Sequence, residues 1–143
     1  MLLMLGASTA KALTFDEAIA VFDEVNTQFG EIIEESMRQS GVEAKFYCDY
    51  DYDANELFMS FHFGERMWKY FDPSEIYATK DLVISLWAED YRKDPEFVEY
   101  LTVLKEYGVK FRISMYCTKK GKTKDATCTI TPDEIIQAAR KRF

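Results

Sequence analysis

The chain has 143 residues, 48% apolar and 30% charged, with 18 Lys and Arg against 25 Asp and Glu for a net charge of −7. At roughly 150 residues per domain this is one domain, able to bury about two thirds of its unfolded surface without disulfides or metals as staples. Six Gly and three Pro exclude collagen-like and linker classes, and the acidic balance opposes counterion-release binding to phosphate backbones, so no nucleic-acid partner is expected.

Met1 to Ala12 reads MLLMLGASTAKA. The apolar start and the small-x-small triplet Ala10-Lys11-Ala12 have the form of a signal-peptide remnant, with a single domain over 13–143. The apolar run is short and no basic residue precedes it, so the signal is incomplete. A periplasmic or secreted protein is the expectation, a cytoplasmic one the alternative. Nothing in the sequence approaches the roughly 18 consecutive apolar residues of a membrane span.

Thr14-Phe15-Asp16-Glu17 is a capping box, and Ala18, Phe22, Val25, Phe29, Ile32, Ile33 and Met37 form one helical stripe ending near Gly41. Ala44, Phe46, Cys48 and Tyr50, then Leu57, Met59, Phe61 and Phe63, alternate with polar residues across the turn Asp53-Ala54-Asn55, which predicts a hairpin with one buried face. Asp72-Pro73-Ser74-Glu75 starts a helix over 76–93 with Val83, Leu86, Trp87 and Tyr91 inward, although the run Leu82 to Trp87 also fits a buried strand. Asp94-Pro95-Glu96 caps another helix, carrying Phe97, Val98, Leu101 and Leu104 and ending at Gly108. Phe111, Ile113, Met115 and Cys117, then Ala126, Cys128 and Ile130, predict a second hairpin across the turn-like Lys119-Lys120-Gly121-Lys122. Thr131-Pro132-Asp133-Glu134 opens a last helix with Ile135, Ile136 and Ala139 inward. The economical assembly is α+β: a four-stranded antiparallel sheet of two hairpins with helices packed on one face, carrying a possible helix-hairpin-helix pseudo-repeat.

Candidate chemistry is sparse. A turn centred on residues 122 and 123 would set Cys117 opposite Cys128, where a disulfide could form; Cys48 reads as an inert core thiol. No pair of cysteines is spaced for zinc, and neither metal nor other cofactor is expected. His62, the only histidine, falls in the outward phase with Ser60, and a general base would need Asp49 or Asp51 beside it. Asp49, Asp51 and Asp53 alternate like the opening of a calcium loop, but Ala54 stands at the sixth position, where such a loop needs Gly. Lys119, Lys120, Lys122 and Lys124 read as solvation of a hairpin tip, with docking to an acidic partner as the functional alternative. Outward Tyr47, Phe58, His62 and Tyr116 are the residues hardest to place in a core, and they mark a binding face.

The leading reading is a non-catalytic exported binding domain whose uncovered sheet face meets a partner protein or small ligand. The alternatives are a hydrolase using His62 with Asp49 or Asp51, and a cytosolic acidic inhibitor or regulatory protein.

Overall fold

The computed structural model describes residues 13–141, so the signal reading of 1–12 lies outside the described residues. Helix α1 spans Phe15–Gln39, β1 Ala44–Asp51, β2 Glu56–Phe63, α2 Ile76–Lys93, α3 Pro95–Glu106, β3 Lys110–Lys119, β4 Lys122–Ile130 and α4 Pro132–Arg140. Two single 3-10 turns, Glu65–Met67 and Pro73–Glu75, fill the passage from β2 to α2. Leu82 to Trp87 is helical, the apolar run being part of α2.

The helix starts follow their sequence signals. The Thr14 hydroxyl accepts from Glu17 N at 3.2 Å while the Glu17 carboxylate accepts from Thr14 N at 3.1 Å. Thr131 and Glu134 repeat the arrangement at α4, with bonds of 3.2 and 3.0 Å. Each satisfies amides that the first helical turn leaves without a partner. Gly41 and Gly108, at φ of 81° and 69°, turn the chain out of α1 and α3 through the left-handed region that costs glycine least.

The sheet order is β1-β2-β3-β4, with both hairpins antiparallel and the central β2–β3 pair parallel. This departs from the fully antiparallel expectation for a reason of connectivity. Parallel neighbours need a long crossover, usually helical, and α2 with α3 supplies it. The proposed pseudo-repeat gains no support from the elements: α1 has 25 residues and its counterpart α3 has 12, α2 has 18 and α4 has 9.

All four helices join the core on one side of the sheet. Phe22, Trp87, Phe97, Leu101 and Ile135 meet Leu57, Met59, Phe111, Ile113 and Ile130 there. Phe111 is wedged between Phe22 and Trp87, with ring centroids 5.5 and 4.7 Å away. The α1 stripe is rotated from its expected position: Ala18, Phe22, Asn26 and Gly30 are buried, whereas Phe29 and Ile32 stay 45% and 66% exposed. Gly30 explains the shift. A Cβ there would lie 1.9 Å from the Phe46 ring, so α1 approaches β1 through a residue without a side chain. On α2, Leu86 is likewise exposed, and Trp87 and Ala88 take the inward positions.

Candidate functional site: the open sheet face

The strand phase that leaves the core places four rows of side chains on the other side of the sheet. Asp51, Glu56 and Lys110 form the first row; Asp49, Phe58, Arg112 and Thr129 the second; Tyr47, Ser60, Ser114 and Thr127 the third; Lys45, His62, Tyr116 and Asp125 the fourth. The four residues singled out from sequence, Tyr47, Phe58, His62 and Tyr116, therefore share one face, and three of them touch. The His62 and Tyr116 rings stack at 4.8 Å and 29°, and Tyr47 meets His62 edge-on at 5.1 Å. Because the His62 and Tyr116 faces are turned to each other, the row presents its ring edges and polar atoms outward. Phe58 is separate from this group, lying beneath Arg112, whose guanidinium carbon is 5.1 Å from the ring centroid.

Arg112, Ser60 and Ser114 complete the site. Arg112 donates to Glu56 at 2.8 Å and lies 3.7 Å from Asp51, so one cation gathers the carboxylates at one end of the face. Ser60 and Ser114 are buried although they face away from the core, because the taller aromatic and guanidinium ridges on either side shade them. The Ser60 hydroxyl bonds His62 Nε2 at 2.8 Å, and Ser114 bonds Thr127 at 3.0 Å. The result is a hydroxyl-lined trough between two ridges. Its signal in the sequence was the outward phase of small polar residues, but which strands lie side by side was not legible.

Register separates His62 from the carboxylates expected to orient it. Asp49 pairs with Phe58 and Asp51 with Glu56, whereas His62 pairs with Lys45. Four residues along a strand amount to about 13 Å, so neither Asp49 nor Asp51 orients the imidazole. The acidic run serves the turn instead. Asp51 Oδ1 accepts from Asp53 N and Ala54 N, both at 3.1 Å, and Asp49 accepts from Tyr50 N at 2.8 Å. Among the described residues no group of three or more His, Cys, Asp or Glu is arranged to hold a metal ion.

The cysteine pairing is also corrected. The second hairpin turns at Lys120 and Gly121, both with positive φ, within the expected Lys119 to Lys122 stretch and not around Gly121 to Lys124 as the bridge requires. Cys117 consequently faces Lys124 and Cys128 faces Ile113, about 13 Å apart along the sheet and beyond the reach of a disulfide. All three cysteines are free, and burial pushes each thiol above its ordinary pKa, which favours the unreactive protonated form.

Two concavities border the open face at its β1 edge. A concavity of about 330 Å³ between α1 and β1 takes in Tyr47 with Glu31, Glu34, Phe46 and Cys48, and a neighbouring one of about 410 Å³ is lined by Glu34, Arg38, Val42 and Lys45. His62, Phe58 and Tyr116 line neither. No helix among the described residues is long and apolar enough to cross a membrane. Compared with family models, curated proteins and solved structures, the chain matches none.

Proposed function

We propose that the protein is a non-catalytic binding module, exported as its N-terminal sequence suggests, that engages a partner protein through the open sheet face. The observation carrying this reading is the continuous band of Tyr47, His62 and Tyr116 on a face that no described helix covers. Tyr side chains supply rigid, amphipathic contact area at low entropic cost, as they do on antibody-type surfaces. His62, Phe58 and Tyr116 line none of the concavities described above, which favours a protein over a small molecule, since the latter needs a concavity enclosing most of its area. The aromatic row also has little to do in the core, since Tyr47 is 54% exposed.

A photoreactive residue in place of Lys45, in the same row as His62, tests the reading in the native host. It should give a discrete adduct with one protein that disappears with Tyr116→Ser. The same group in place of Thr102, exposed on α3, should give none. Equal labelling at both positions, surviving Tyr116→Ser in a folded chain, would overturn the proposal.

A further inference from the structure

The parallel pairing of β2 with β3 has an electrostatic result that no single segment reveals. In a meander of four antiparallel strands both hairpin turns would lie at the same end of the sheet. With β2 and β3 parallel, the acidic turn after Asp51 and the lysine turn after Lys119 lie at opposite ends. The lysine end is joined by the segment following β2. Lys124 Nζ donates to the Trp68 carbonyl at 2.7 Å and sits 4.5 Å from the Trp68 ring centroid, and Cys117 donates to the Gly64 carbonyl at 3.5 Å. Six cations meet here: Arg66, Lys69, Lys119, Lys120, Lys122 and Lys124. With Glu65, Asp72 and Asp125, the segments 65–72 and 119–125 carry +3 in a chain of −7, which leaves −10 to the remainder. Glu43 and Lys45, on the adjoining edge, cancel each other.

Lys124 is held against Trp68, but none of the six is in an ion pair among the described residues. The ion pairs among the described residues are made by Arg38, Lys80, Arg92, Lys93, Lys105 and Arg112. Between the two segments lies a depression of about 380 Å³ lined by Arg66, Lys69, Lys119, Trp68 and Glu65, large enough for an anionic headgroup. Beside it Tyr70 is 64% exposed, with Lys69 Nζ 5.1 Å from its ring centroid. Lysines interleaved with Trp and Tyr are the composition of a water–membrane boundary, where the ring sits at headgroup depth and the ammonium meets phosphate.

We propose that this end of the sheet is a docking surface for an anionic lipid layer, which the protein meets end-on through the β3–β4 turn and the 65–72 segment. Charge complementarity is the argument. The acidic remainder would be held off the same layer, and screening within a Debye length of about 8–10 Å keeps the attraction confined to the tip. Each lysine near an anionic surface contributes roughly fivefold in partition. Docked in this way, the membrane lies across the strand ends and the open face remains accessible from the side. The inference stands independently of what that face binds.

Vesicle co-sedimentation of the full chain tests it. Vesicles of phosphatidylcholine alone should retain little protein. Vesicles with about a third phosphatidylserine should bind it, and raising the salt several-fold should release it. Lys120→Glu with Lys122→Glu, both exposed turn positions, should lower binding at least tenfold without changing the fold, whereas Tyr116→Ser should leave it unchanged. Equal binding to both vesicle types, or full binding by the double variant, would overturn the proposal. So would capture by a soluble poly-glutamate peptide with no binding to anionic vesicles, which would assign the tip to an acidic protein instead.

Discussion

The two faces of this sheet share one backbone and opposite fates. Along β3, Phe111, Ile113, Met115 and Cys117 are buried under the helices, while Arg112 and Tyr116, at alternate positions, remain half-buried on the other side. On the covered face affinity between elements comes from apolar area removed from water. On the open face the side chains hold one another laterally, by ring contacts, hydroxyl pairs and the Arg112 ion pairs, and no described helix is packed over them. A side chain's distance from the backbone therefore matters less than which neighbours rise beside it: Ser114 is 3% exposed on the open face only because it is short.

The sharpest way to break the comparison is a pair of substitutions on one strand. Phe111→Ala removes a ring 1% exposed between Phe22 and Trp87, and should cost about 3–5 kcal/mol in urea unfolding. Tyr116→Ser, on the opposite face, should cost about 1 kcal/mol or less, the scale of a cross-strand pair. Similar losses at both positions would mean that the second face is also a core.

A smaller effect is expected where α1 meets β1. Gly30→Ala drives a methyl into the Phe46 ring, and the repacking should cost about 1–3 kcal/mol, outweighing the helix propensity that alanine adds. A stabilised variant would show that the approach of α1 is looser than described.

The smallest effect separates charge from area on the covered side. Asp23, on α1, has one carboxylate oxygen buried without a hydrogen-bond partner, and burial, followed by the nearby charge of Asp49, raises its pKa above the ordinary value. A carboxyl whose pKa is raised by folding binds its proton more tightly in the native state, so it lowers stability once ionised. That penalty fades as the pH falls through the folded pKa, and it is gone below the unfolded value of about 3.9. Asp23→Asn should thus melt above the wild type at pH 7, with the gap closing on acidification. A variant that melts lower at neutral pH would show that the ionised carboxylate is stabilising.

What the sequence disclosed follows from how far each signal reaches. The caps at Thr14 and Thr131 were legible because their partners lie three residues away, and the strand phases because alternation is local. The open face was legible in its membership, since Tyr47, Phe58, His62 and Tyr116 were each out of phase with the core. Pairing was not legible. Nothing near β2 or β3 specifies that they run parallel, so the grouping of Arg112 with Asp51 and Glu56 was hidden. The second turn was legible within Lys119-Lys120-Gly121-Lys122, but the Cys117–Cys128 bridge needs a turn centred two residues later, and the lysine-rich stretch alone does not choose between the two; the positive φ of Lys120 and Gly121 does. The exposure of Phe29 and Ile32 was hidden for a related reason: periodicity reports an apolar stripe, but the close approach allowed by Gly30 decides which part of it meets the sheet.

Residue-resolved hydroxyl-radical footprinting of the purified, folded chain addresses the open face most directly. Tyr47 and His62 should be oxidised at rates approaching those of the unfolded protein, while Met59, Phe111 and Met115 on the covered side remain protected. Protection of Tyr47 and His62 equal to that of Met59, persisting on dilution, would place further polypeptide over the face and contradict the account.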